Sequence, residues 1–372
     1  MTLSAEPLPL LFIGQLEPIG LLRHFSKHPP DGFEPFVSAD GAPGFFTDFD
    51  LLTTADAAAS RFINALPGSA VWRRMLRLRT CFFGTSVSEY APIPAGVAPH
   101  ILPRKMLETW NLRSMLMIVK DLPEQSPLLS RADNEHAATF LASCVSSGFV
   151  LMEGQALAYV LINFSSEEEY LARLSASRRK NIRRKLRGRD RLRVEVLTTG
   201  SARFNEKAFL DELYGLYREV YDQSEIHFDR LNIDFFTAVL QDAKLDGQLF
   251  LYYRENQLIG YNLCFIHGGM LIDKYVGFRY PEAREYNLYF VSWMENLAFA
   301  RKRGLTHYVA GWTDPEIKSY LGASFTFTRH AVFVRNRLLR ALLRRISKYF
   351  ESDRSWFEAQ KNQSSNEASS GS

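Results

Sequence analysis

From Ser165 onward the spacing of apolar residues changes in a regular way along the chain. In "SSEEEYLARLSASRRKNIRRKLRG", Leu171, Leu174, Ile182 and Leu186 fall on one helical stripe. A serine opens the stretch with glutamate three residues on, a capping box, and Gly188 is placed to end it. The spacing predicts one amphipathic helix. Leu192–Leu197 ("LRVEVL") then alternates as a strand does, and Glu206–Tyr221 carries Phe209, Leu213, Leu216 and Val220 at helical spacing. A second helix is expected over Ile233–Ala243. Three strands follow, Leu249–Tyr253, Leu258–Ile266 and Met270–Gly277, separated by "REN" and by Gly268-Gly269 as hairpins are. Next come a helix over Tyr289–Arg303 stopped by Gly304, a strand over Thr306–Ala310 and a short helix over Asp314–Leu321. A strand over Phe325–Val334 and a helix over Leu338–Phe350 complete the series. The order predicts an α+β fold, a mixed, mainly antiparallel sheet flanked by helices.

The first half reads less regularly. Strands are expected at Leu10–Ile13, Arg77–Phe83 and Ser114–Val119, and across Gly148–Asn163 with a turn at Gly154-Gln155. Helices are expected over Phe49–Leu66 and Asn134–Ser147, and loops over Pro92–Pro103 and Leu122–Pro127. These signals divide the chain into an α/β half over 1–163, a second unit over 164–352 and a disordered polar tail over 353–372.

Charge sharpens the picture at one place. The net charge is +4, yet Arg178–Arg193 alone contributes +9, so the remainder carries −5. Basicity this local argues against a protein that grips nucleic acid over its whole surface. Cys81, Cys144 and Cys264 are far apart, with no CxxC pair and no Cys/His cluster of metal-ligand spacing; inert buried thiols and no metal are expected. The first residues lack a signal-peptide pattern, and no apolar run reaches the ~18–20 residues that span a bilayer. A soluble, cytoplasmic protein is expected. GxGxxG, GxxxxGK[ST] and GxSxG are all absent, so neither a dinucleotide fingerprint, a phosphate loop of that type nor a nucleophile elbow is present.

Three stretches together resemble a known family: "SASRRKNIRRKLR", the run from Leu249 to Phe290, and "GLTHYVAGWTDPEIKSYLGASF". They are similar to the GNAT acyltransferases, in particular the branch of Fem-type aminoacyltransferases and their tandem-GNAT, acetyltransferase-like relatives. The resemblance implies a tandem GNAT-like fold. It also implies transfer of an acyl or aminoacyl group from acyl-CoA, as co-substrate, or from aminoacyl-tRNA to a small-molecule or peptide amine. Direct attack without a covalent enzyme intermediate is the economical mechanism. One departure stands out. The family's Gly-rich pyrophosphate loop would fall at "GFRYPEAREYNLYF", where no glycine follows Gly277, so backbone cannot approach a phosphate closely.

The resemblance points to Tyr320 as proton donor to the leaving group, to Lys318 as holder of a carboxylate or phosphate, and to Glu285, Tyr286 and Asn287 at the cofactor loop. Trp312 and Asp314 sit at a strand's C-terminal end, where loops carry function; Asp314 before Pro315 also reads as an N-cap. Asp273, Lys274 and Tyr275 are three polar residues inside a central strand. Alternation puts Asp273 and Tyr275 on one face as catalytic groups and Lys274 on the other as a substrate contact. On the basic helix Arg179 and Arg183 are one turn apart and suit a phosphate or carboxylate. His330 reads as a satisfied, partly buried histidine. The last helix, "RNRLLRALLRRISKYF", is expected to pack its leucines on the core with basic residues facing water; peripheral contact with an anionic membrane is the alternative. A rival function is a non-catalytic scaffold that binds anionic lipid or RNA through its basic helices.

Overall fold

The computed structural model describes residues 11–50, 77–110, 114–224 and 228–346. In chain order its first half comprises β1 (Phe12–Ile13), α1 (Ile19–Lys27), β2 (Glu34–Val37), β3 (Pro43–Asp50), β4 (Arg77–Phe83), β5 (Ile93–Pro94), α2 (Leu102–Thr109), β6 (Leu116–Pro123), α3 (Arg131–Ser146) and β7 (Val150–Leu161). The second half runs α4 (Glu167–Ala172), α5 (Ala176–Lys185), a 3-10 turn over Leu186–Arg191, β8 (Leu192–Thr198), α6 (Lys207–Gln223), α7 (Ile233–Gln241), β9 (Gly247–Arg254), β10 (Gln257–His267) and β11 (Met270–Phe278). It closes with α8 (Glu282–Glu285), α9 (Leu288–Lys302), β12 (His307–Gly311), α10 (Pro315–Leu321), β13 (Ser324–Val334) and α11 (Arg337–Ile346).

Eleven of these strands form one sheet in the order β2-β3-β4-β6-β13-β7-β12-β11-β10-β9-β8, and β1 pairs only with β5. The order is pseudo-symmetric. Each half supplies an antiparallel meander ending in a parallel pair, β4 with β6 and β11 with β12. Between the parallel pairs lie two long antiparallel strands, and each half lends one to the other: β13 pairs with β6, and β7 with β12. This is a tandem GNAT-like sheet. One face is covered by α1, α6 and α7 through Leu21, Phe25, Leu213, Leu216, Phe235 and Val239. On the other face α2 and α3 cover the first half, while α4, α5, α9 and α10 cover the second. A strand buried on both faces needs a near-continuous apolar run, as in β9 "GQLFLYYR".

Three sequence expectations are corrected. The helix from Ser165 is two helices: α4 is capped by Ser166, whose Oγ accepts from Glu169 N–H, and the chain turns at Arg173–Leu174. Ser175 then caps α5 afresh, and Gly188 lies within the 3-10 turn rather than ending a helix. The turn expected at Gly154-Gln155 is uninterrupted strand. Gly154 is there because β13 comes close: a Cβ would sit 2.9 Å from the Thr328 carbonyl carbon. Gly154→Ala is expected to cost about 1–3 kcal/mol, read as a lower urea midpoint, because neither backbone can retreat within the sheet. Of the helix expected over Phe49–Leu66, residues 49–50 are strand and the rest lie outside the described residues, as does the tail over 353–372. The three cysteines are buried and form no disulfide.

Candidate functional site

Strands β11 and β12 pair only from Met270 to Ile272 with His307 to Val309, then part, although β11 continues to Phe278. From Asp273 onward the β11 edge facing β12 is therefore not used by that ladder. Beside this opening is a cleft of about 1310 Å³. Its walls are the end of β11 (Phe278), the β11–α9 connection (Tyr280, Arg284, Asn287), the start of α9 (Tyr289), Asp314 with α10 (Glu316, Ser319, Tyr320) and α5 (Arg178, Asn181, Lys185).

The basic helix reaches the cleft with a different stripe from the one its sequence suggested. Arg179 donates to the carbonyls of Ala172 and Leu174, the latter at 2.6 Å, so it caps the end of α4. Arg183 pairs with Glu168. Both are spent holding α5 to α4. The break before Ser175 sets the rotation of α5, and Arg178, Asn181 and Lys185 are what face the cleft. The Arg178 guanidinium lies 5.6 Å from the Tyr320 ring centroid and Lys185 Nζ 4.1 Å from that of Phe290. Asn181 donates to the Tyr320 hydroxyl at 2.8 Å, which leaves that phenol's own proton free to point into the cleft.

Two non-glycine residues in the left-handed region line the cleft, Asn287 (φ 51°) and Asp314 (φ 53°). Such conformations cost energy and persist where surrounding structure enforces them. Asp314 occupies the N-cap position of α10, but its side chain makes no capping bond. Of the three residues expected at the cofactor loop, only Asn287 lines the cleft. Tyr286 is buried away from it, beneath Arg191 and Arg254, and Glu285 is exposed. Trp312 packs with the cluster around Leu157 and Val309.

A bulge at Lys274 overturns the expected face pattern of β11. Asp273 pairs with Cys264 and Tyr275 with Leu263, so Lys274 is the extra residue and its two neighbours point to opposite faces. Tyr275 lies among Phe235 and Phe236 on the α7 side. Asp273 faces α9, accepting from Asn262 Nδ2 at 2.6 Å, Tyr308 Oη at 2.7 Å and Asn296 Nδ2 at 3.3 Å. Burial pushes its pKa up to about 6, against the pull of those donors and of Lys318. Lys274 is outside the cleft lining, ion-paired with the buried Glu17 and Glu89.

Lys318 enters the opening between β11 and β12 from α10. A Cβ on Gly311 would stand 3.8 Å from its Nζ and 3.9 Å from the Asp273 carbonyl oxygen. The side chain is 4% exposed, and burial lowers its pKa to about 8, opposed by the charges of Asp273, Glu89 and Asp314. A buried ammonium and a buried carboxylate with pKa values near neutrality, beside an open cleft, can stabilise an oxyanion and accept a proton. Tyr289, Tyr280, Arg284 and Arg178 were not singled out from sequence. The buried Tyr289 hydroxyl, without a hydrogen-bond partner among the described residues, had no local signature. His330 accepts from the Asp121 N–H at 3.0 Å, as its satisfied reading expects.

Residues 176–319 match the family model for the acetyltransferase (GNAT) domain. Among solved structures, the C-terminal domain of a putative lysylphosphatidylglycerol synthetase from Agrobacterium fabrum is 13% identical with a TM-score of 0.50, over 87% of this chain and 88% of that one. L-PGS from Bacillus licheniformis is 11% identical with a TM-score of 0.50, over 91% and 98%. FemX is 13% identical with a TM-score of 0.50, over 87% and 97%. These likenesses are of fold. No curated protein matches the chain.

Proposed function

We propose, from the match of residues 176–319 to the acetyltransferase (GNAT) domain, that the protein transfers an acyl or aminoacyl group from a phosphate-bearing donor, acyl-CoA or aminoacyl-tRNA, to an amine. The observation that carries this reading is the cleft at the end of β11, where Arg178, Lys185 and Arg284 stand among Asp314 and Glu316, with Lys318 and Asp273 behind its lining where β11 and β12 part. Arg178, Lys185 and Arg284 bind the donor's phosphates with side chains. That grip replaces a glycine cradle, because α8 and its side chains fill the turn before α9. The amine nitrogen attacks the donor carbonyl, and the Lys318 ammonium stabilises the oxyanion. The carbon–sulfur or carbon–oxygen bond of the donor then breaks. Tyr320 gives its proton to the leaving thiolate or alkoxide, and the amine's proton passes to Asp273.

Panels of acyl-CoAs and aminoacyl-tRNAs with diverse amines test the reading, through free thiol or uncharged tRNA released. No release across both panels overturns it. Within an active pair, Arg178→Ala with Lys185→Ala is expected to raise the donor KM on the order of tenfold or more, since two charge-assisted contacts are lost. Arg183→Ala is expected to leave KM unchanged and to cost at most about 1 kcal/mol of stability, because its pair with Glu168 is exposed.

A further inference from the structure

Helix α11 turns its leucines outward. Leu338 is 82% exposed, Leu342 54% and Leu339 49%. The helix rests on the body through Leu343, at the margin of the core, and through Arg340, whose guanidinium lies 4.4 Å from the Phe333 ring centroid. The expectation that the leucines pack on the core is thereby corrected: only one edge of the apolar arc touches it. Met115, 52% exposed, adds an apolar side chain at the helix's start, where its carbonyl accepts from Arg335 N–H. Arg337 and Arg345 are exposed on the adjoining arc, and 335–350 contains no Asp or Glu.

We propose that α11 docks the protein on an anionic bilayer surface. Leucines on one arc and arginines on the next let a helix lie flat, with apolar side chains among the acyl chains and guanidiniums at the headgroups. A flank that is wholly basic matches a surface that is wholly anionic, and each arginine adds to the attraction. Strand β13, 11 residues long, separates α11 from α10, on the order of 33 Å at 3.3 Å per residue.

Full-length protein is sedimented with vesicles of phosphatidylcholine alone or mixed with phosphatidylglycerol. The mixed vesicles are expected to carry it down, the neutral ones not, and added salt to release it. The triple variant Leu338→Ser, Leu339→Ser, Leu342→Ser is expected to lower binding on the order of tenfold or more. Arg337→Gln, Arg345→Gln is expected to weaken the preference for anionic vesicles. Both should keep the wild-type unfolding midpoint, since the replaced side chains are exposed. Three results overturn the proposal. One is no sedimentation of the wild type with either vesicle. Another is full binding by the leucine variant. The third is a wild-type dimer that the leucine variant converts to monomer, which assigns the face to a second copy.

Discussion

Lys274→Met is expected to destabilise the fold by about 3–5 kcal/mol, read as a lower midpoint in urea at unchanged slope. Glu17 and Glu89 are both buried, and Lys274 is their shared counter-ion, with Nζ 3.3 Å from Glu17 Oε1. Glu17 also accepts from the Glu89 N–H at 2.6 Å, while the remaining oxygen of each carboxyl has no partner among the described residues. A methionine fills the space but strands two carboxylates in a medium that does not solvate them. The sign with pH follows from the wild type. Burial raises the Glu17 pKa to about 7, so between about 4.5 and 7 the folded state holds more proton than the unfolded one. That group's contribution therefore falls as pH rises through this window. The two glutamates push Lys274 above its ordinary value, so its contribution is present below about 10.5 and lost as pH rises through its folded pKa. Without the lysine, the loss should be larger at pH 8, where the Glu17 carboxylate would be charged, than at pH 5, where it can take up a proton. A loss under about 1 kcal/mol that is flat in pH would show that the cluster is not held by this pairing.

That cluster also marks where sequence reading ran out. Glu17 and Lys274 are 257 positions apart, and no local pattern joins them. What is local was legible. The β4 strand, Arg77–Phe83, is read to the residue, and the three-strand meander and α9 to within two or three, because alternation, stripes and glycine stops act over a few residues. The GNAT-like resemblance supplied the fold for the same reason. Side-chain direction was less legible, since it integrates small errors along an element. A three-residue break before Ala176 rotates α5 enough to send Arg179 and Arg183 to α4 and Arg178 to the cleft. One extra residue at Lys274 reverses the faces of the residues beyond it, which is why Asp273 and Tyr275 part. The strand exchange between the halves leaves no mark in the order of elements, because β7 and β13 look alike whichever neighbour they take.

Lys318→Met is expected to lower kcat on the order of 10²–10³-fold while leaving stability unchanged or higher, a combination that separates a catalytic group from a structural one. Lys318 is 4% exposed, and its ammonium makes no hydrogen bond within the described residues. Its folded pKa of about 8 lies below the unfolded 10.5. Between those values the unfolded chain binds more proton, so stability rises with pH through that window, and at neutral pH the buried charge is a cost that methionine removes. A cost retained in the fold is what an oxyanion partner requires, because the charge is then already desolvated when the carbonyl oxygen becomes negative. The pH profile follows. Asp273 must be ionised to accept the amine's proton, so kcat should rise through about 6. Lys318 must be protonated, so kcat should fall through about 8. In Lys318→Met the alkaline fall is expected to disappear along with most of the rate, and Lys318→Arg, which stays charged, should move that limb beyond pH 10 while restoring part of kcat. If the methionine variant keeps both its rate and its alkaline limb, the oxyanion is stabilised elsewhere, and the unpaired backbone edge of β11 becomes the group to test.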